Sequence, residues 1–231
     1  MIAAVRTSGQ PCAPTARGGS EPPSDCGICP RLVAFRDRNR LTFPGYFNAP
    51  VPSFGPADAR LLIVGLAPGL NGANRTGRPF TGDYAGDLLF ATLAAYGFAR
   101  GDYAADPHDG LTLVDCRITN AVRCVPPENK PTGTETRSCR RFLAATLAAM
   151  PRLRAIVALG RIAHDSVVAA LGGSRANVPF AHGAHHAISD LRLYDSYHCS
   201  RYNTNTGRLT PEMFRAVFAD VSAWLSERGD D

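Results

Sequence analysis

The chain has 231 residues, 45% of them hydrophobic, with 22 Gly and 18 Pro; this fits one domain with a real core and excludes collagen, coiled coil and wholesale disorder. No apolar run approaches the ~18–20 residues of a membrane helix, and residues 1–12 lack the apolar stretch of a secretory signal, so a cytoplasmic protein with no membrane partner is expected. The 25 basic and 20 acidic side chains leave +5, which permits nucleic-acid binding without requiring it. All the basic residues except Lys130 are arginine; coding bias alone produces such a pattern, yet each guanidinium still offers a forked phosphate donor.

In chain order, residues 1–24 are rich in Gly, Pro, Ser and Thr and predict a disordered tail, leaving 25–231 as a single domain. Residues 30–40 read as a short basic helix with Leu32, Val33 and Phe35 as its apolar members. Leu61-Leu62-Ile63-Val64 is a continuous apolar run ending in Gly65, the pattern of a parallel strand buried on both faces. A helix over 86–98 follows, with Leu88, Leu89, Leu93 and Tyr96 near one face. The alternation then repeats: a strand within 113–122, a helix over 135–150 with Thr134 as N-cap, a strand over 155–159, a helix over 161–171 and a strand over 191–197. Thr210-Pro211 opens a last helix through Leu225, with Thr as cap and Pro at the first helical position. This order predicts a three-layer α/β/α sandwich around a mostly parallel, four-stranded sheet.

Ligands of such sheets sit beyond the carboxyl ends of the strands. Three polar segments fall there: 65–83, 120–131 and 198–208. The first begins Gly65-Leu66-Ala67-Pro68-Gly69, whose glycines let backbone N–H groups approach a ligand. It lacks the G-K-[ST] ending of a phosphate loop and the glycine spacing of a dinucleotide site. Asp83 precedes a helix, so it reads either as a simple N-cap or as a carboxylate kept ionised to activate water. Asn120 and Asn129 in the second segment can read a ligand edge or merely cap a turn. His198 follows a strand and can donate a hydrogen bond, titrate near neutral pH, or be a satisfied structural residue. The pair His185-His186 reads as loop.

Seven cysteines without an export signal argue against a disulfide framework. Cys26 and Cys29 form a C-x-x-C, and Cys124 with Cys139 form a wider pair. Two pairs so far apart point to a metal or cluster site that staples the N-terminal region to the domain body; zinc, iron–sulfur and free buried thiols all remain open.

Together these stretches resemble the uracil-DNA glycosylase superfamily, and most closely its iron–sulfur branch, family 5. The matching residues are Gly65-Leu66-Ala67-Pro68-Gly69, the run from Asn74-Arg75-Thr76-Gly77-Arg78 through Pro79-Phe80-Thr81-Gly82-Asp83, Val122-Arg123-Cys124 with Pro126-Pro127 and Asn129-Lys130-Pro131, and Asn203-Thr204-Asn205-Thr206-Gly207-Arg208-Leu209-Thr210. The resemblance implies a monomeric DNA repair enzyme that flips out uracil, or another deaminated or damaged base such as hypoxanthine, xanthine or ethenocytosine, and hydrolyses its glycosidic bond. It implies a structural [4Fe–4S] cluster on Cys26, Cys29, Cys124 and Cys139. It places Gly65, Leu66, Ala67 and Phe80 against the base, Asn120 or Asn129 at its edge or at the water, His198 as a donor, and Asp83 as the water-activating group. Ala67 replaces a polar residue of other branches, which puts more of the chemistry on Asp83. Arg75, Arg78, Arg201, Asn203 and Arg208 are expected at the DNA. A non-catalytic binder of damaged DNA with the same fold is the alternative.

Overall fold

The computed structural model describes residues 19–227. In chain order the elements are α1 (Pro30–Thr42), β1 (Leu61–Gly65), α2 (Ala73–Thr76), α3 (Tyr84–Ala95), β2 (Ala99–Arg100), β3 (Thr112–Leu113), β4 (Cys116–Asn120), α4 (Gly133–Ala148), β5 (Ala155–Leu159), α5 (Arg161–Ala170), β6 (His185–Ile188), β7 (Leu191–Ser196), α6 (Arg201–Asn205) and α7 (Pro211–Glu227). The main sheet runs β4-β1-β5-β7-β6, parallel except for β6, which pairs antiparallel with β7; β2 and β3 form a separate ribbon. The sheet thus has five strands, not four. The extra strand is the His185-His186 segment expected as loop; it is short, half-exposed and polar, and only pairing with β7 makes it a strand.

Every residue of β1 and β5 is buried, as a parallel strand covered on both faces requires. Alternate side chains divide between two cores. Leu61, Ile63, Val157 and Leu159 face α3 and α7, meeting Leu89, Leu93, Phe214 and Phe218. Leu62, Val64, Ile156 and Ala158 face α4 and α5, meeting Leu143, Val167 and Val168. Each fully buried Leu, Val, Ile or Phe contributes about 1.5–3 kcal/mol, so the pleat alone fixes the three layers.

Local chemistry sets the helix starts. Asp83 Oδ1 accepts from the Ala85 N–H (3.2 Å) to cap α3. At α4 the cap is Thr132, not Thr134: Thr132 accepts from the Glu135 N–H and Glu135 returns the bond to the Thr132 N–H, a complete capping box that adds two residues to the helix. His164 on α5 and Asp195 on β7 are fully buried and 2.7 Å apart, with the other His164 ring nitrogen 2.8 Å from the Val178 carbonyl. Burial works against the charged ring, but the Asp195 carboxylate and the Val178 carbonyl outweigh it and raise its pKa. This pair ties the start of α5 to the end of β7, beside the loop that carries His198.

The expected tail over 1–24 lies mostly outside the described residues, but 19–24 belong to the domain. Glu21 accepts from Arg123 (2.6 Å), Arg117 (3.2 Å) and the Ser53 N–H (3.1 Å). Its carboxylate answers the buried Arg123 guanidinium, a charge that could not otherwise be left in the interior.

Candidate active site

The chain turns from β1 out to β4 and back to β5 on the other side, which opens a crevice at the carboxyl ends of the strands. A cavity of about 770 Å³ lies there, walled by Leu66, Ala67 and Gly69 after β1, by Gly160 and Ile162 at the start of α5, by Asp83 and Tyr84 at α3, and by His198 and Arg201 after β7. The amides of Leu66 and Ala67 donate to no group among the described residues, so they remain open to a ligand.

Asp83 is at once the helix cap and a wall of this cavity. Burial raises its pKa, while the N–H groups of Ala85 and Gly86 pull the other way. Its Oδ2 lies against the backbone of Gly69 and Gly72: a Cβ on Gly69 would stand 3.0 Å from that oxygen, and one on Gly72 only 2.2 Å. The two glycines therefore exist as a cradle for the carboxylate. Asn120, at the end of β4 beside Gly65, is 3% exposed and its amide makes no hydrogen bond among the described residues. It shares the space over Gly65 with the Phe80 ring; any Cβ at Gly65 would fall 2.4 Å from Asn120 Oδ1 and 2.6 Å from Phe80 Cζ. Phe80 is 6% exposed and stacks on His198 (centroids 5.7 Å, 22° between planes), behind the cavity wall. Asn129, by contrast, is exposed on the cavity rim in a left-handed conformation (φ 56°). Of the two asparagines, only Asn129 lines the cavity; Asn120 stands behind its wall, over Gly65.

Burial pushes the His198 pKa down to about 4. The ring is neutral near pH 7, which removes the neutral-pH titration expected for it and leaves a hydrogen-bonding role. Its loop is not irregular: Ser200 caps the short helix α6. Asn203, expected at the DNA, turns inward and donates its amide to the His198 carbonyl (2.8 Å). Arg201 lies at the cavity wall over Tyr84, and the exposed Arg208 rests over Tyr197. Arg78 is a correction: it is 6% exposed, bonds both oxygens of Asp109 (2.8 and 2.7 Å) and lies over the Phe54, Phe90 and Tyr103 rings. A guanidinium held that way cannot reach a phosphate. The exposed Arg75 braces the site from outside, donating to the carbonyls of Asn71 (2.9 Å) and Gly82 (3.4 Å).

Sequence reasoning missed Tyr103. Its hydroxyl donates to the Phe80 carbonyl (3.2 Å) and accepts from the Gly82 N–H (3.3 Å), clamping the turn in which Phe80 takes φ 54°. No motif marks Tyr103; a tyrosine twenty residues past the loop gives no local signal. It also missed Tyr202, which stands 72% exposed at the mouth of the cavity.

Cys26, Cys29, Cys124 and Cys139 come together around one small void, closed by Leu32, Val122 and Phe142. Arg31 on α1 bonds both Glu135 oxygens on α4 (2.8 and 2.7 Å), Arg36 donates to the Cys26 carbonyl (3.1 Å), and the Arg123 N–H donates to Cys139 Sγ (3.3 Å). Burial holds the Cys124 thiol up at about 12 and the Cys139 thiol at about 11. Among the described residues, no three His, Cys, Asp or Glu side chains are grouped to hold a single metal ion.

A mostly parallel α/β/α sheet with a cavity at its switch point, an acidic group on one wall and a neutral imidazole on another defines a hydrolase-like site for a small polar ligand. The chain belongs to the uracil-DNA glycosylase superfamily: the model of that family matches residues 52–222. Within it the chain falls among the type-5 enzymes. It is 47% identical over 202 residues to a type-5 uracil-DNA glycosylase of Thermus thermophilus, covering 85% of this chain and 92% of that protein. The corresponding figures are 43% over 207 residues, 86% and 90% for one of Mycobacterium leprae, and 41% over 203 residues, 86% and 88% for one of Pyrobaculum aerophilum. No helix of the described residues is long and apolar enough to cross a membrane.

Proposed function

We propose that this protein is a DNA repair glycosylase that takes uracil out of the base stack and hydrolyses its N-glycosidic bond, leaving an abasic site. The observation that carries this reading is the cradled carboxylate of Asp83 on the wall of a cavity that also exposes the free Leu66 and Ala67 amides and the His198 ring. A base must leave the stack before its glycosidic bond can be reached, at a cost of a few kcal/mol. Asn129 on the cavity wall and Asn120, deeper beyond Gly65 beside Phe80, are the amides that serve the base edge, and His198 walls the same cavity. Asp83 takes a proton from water as the water attacks the anomeric carbon. The bond to the base nitrogen breaks and its electron pair leaves with the base. The Leu66 and Ala67 amides and the neutral His198 donate to the oxygen on which that charge collects. Hypoxanthine, xanthine and ethenocytosine are the further substrates to test beside uracil. Catalysis, rather than damage binding alone, is favoured because the helix cap uses only Oδ1 of Asp83, while Oδ2 is held between Gly69 and Gly72 at the cavity.

We further propose that Cys26, Cys29, Cys124 and Cys139 hold a [4Fe–4S] cluster. Four thiols around one void match its donor set, whose span exceeds that of a single ion. The cluster supplies no redox step to a hydrolysis; it fastens α1 to α4, a junction the Arg31–Glu135 pair also secures.

The test is a panel of oligonucleotides with one lesion each, read by alkaline cleavage at abasic sites. Cleavage is expected at uracil, and Asp83→Asn is expected to lower the single-turnover rate by ~10²-fold or more. Tight damage binding without cleavage would favour the non-catalytic alternative.

A further inference from the structure

Helices α4 and α5 pack side by side. Because α4 follows β4 and α5 follows β5, their first turns lie at the same end of the sheet as the catalytic cavity. Between them runs a second groove of about 350 Å³, lined by Pro131, Arg137, Arg140, Ile162, Asp165 and Arg175. Ile162, 39% exposed, also walls the catalytic cavity, so the two hollows are continuous across one side chain.

The charge of this groove is one-sided. Its single carboxylate, Asp165, is engaged by Arg175 at 3.4 Å. Arg137 and Arg140 have no hydrogen bond or ion pair among the described residues, and the Nε of Arg140 is buried without a partner. Arg161, on the cavity side of Ile162, lies over the Phe180 ring and has no hydrogen bond or ion pair among the described residues. Of the other buried guanidiniums, Arg78 is answered by Asp109, Arg123 by Glu21 and Arg36 by the Cys26 carbonyl. In the groove, Arg137 and Arg140 have no such acceptor, and a planar fork of donors is the group best matched to a phosphate.

We propose that the α4–α5 groove binds backbone phosphates of the DNA strand as it runs away from the flipped nucleotide, with Arg137 and Arg140 as the contacts. The proposal rests on the reading of the neighbouring cavity as the nucleotide site. It assigns this part of the DNA path to a face that the expected contacts, Arg75, Arg201 and Arg208, do not include.

The experiment measures affinity for undamaged duplex, and single-turnover uracil release, over a range of salt concentrations. It compares the wild type with Arg137→Ala, the double variant Arg137→Ala/Arg140→Ala, and the double lysine variant. Each lost phosphate contact is expected to flatten the slope of log affinity against log salt by about one unit. The loss should fall on affinity rather than on the saturated rate, and lysines should recover part of it. Shortening the DNA on one side of the lesion should erase the difference between wild type and double variant. Shortening it on the other should not. Arg137 is exposed, so its single variant keeps the test valid if the double variant folds poorly. An unchanged salt slope, or a difference that survives shortening on both sides, overturns the proposal. Failure of the glycosylase reading would show separately, as wild-type protein that binds DNA but releases no uracil.

Discussion

Gly72→Ala is the substitution that asks most directly what the Asp83 cradle does. A Cβ there would stand 2.2 Å from Asp83 Oδ2, against the 3.4–4 Å of ordinary contact, so the carboxylate must retreat by at least about 1 Å. It has little freedom to do so gently, because Oδ1 is held by the Ala85 N–H and the side chain is half-buried against Gly69 and Gly72. A misplacement of about 1 Å costs on the order of 10²-fold in rate when the group must meet a reacting water in line. Gly69→Ala, with its Cβ at 3.0 Å from the same oxygen, should cost less, about tenfold or below. The assay is single-turnover release of uracil from an oligonucleotide with enzyme in excess, alongside affinity for undamaged DNA and a thermal melt. Backbone distortion could imitate the effect, and a double variant separates the two. In the Asp83→Asn background the rate no longer depends on the carboxylate, so adding Gly72→Ala should change it little. An equal loss in both backgrounds, or full activity of Gly72→Ala, would refute the cradle.

Three further outcomes follow from the site. The rate should rise with pH through the Asp83 pKa, which burial places above the ordinary carboxylate value of 3.8, and then level off; His198, neutral above about 4, should add no limb near its ordinary 6.5, so a second limb there in a pH–rate profile would count against its assigned state. Tyr103→Phe removes both hydrogen bonds that clamp the Phe80–Gly82 turn, each worth about 0.5–1.5 kcal/mol, and should slow single-turnover release about tenfold with DNA affinity kept; a lowered melting temperature with an unchanged rate would make Tyr103 purely structural. Purified protein should be brown with about four irons per chain, and Cys124→Ser should lose iron and stability together; stoichiometric zinc in anaerobically prepared protein would refute the cluster.

The sequence by itself determined the four parallel strands and the end of the sheet at which the cavity lies. Leu61-Leu62-Ile63-Val64 and Ala155-Ile156-Val157-Ala158 are too short for helices and end in or before glycine, as strands buried on both faces do, and an alternating order leaves a parallel sheet whose carboxyl ends fall at Gly65, Asn120 and Ser196. Those facts are local: periodicity, run length and turn residues are written within a few positions. What tertiary structure decided depended on partners distant in the chain. Arg78 looks like any other arginine of the motif until Asp109 and three aromatic rings enclose it. Asn203 turns inward because the His198 carbonyl lies within reach of its amide. His185-His186 becomes a strand only through β7, and Tyr103 gains a role only because the Phe80 turn folds back onto its hydroxyl. Glu21 joins the domain for the same kind of reason, since a buried guanidinium more than a hundred positions away demands a carboxylate. Charge compensation and cavity shape are properties of neighbours in space, and no spacing within the chain encodes which neighbours those will be.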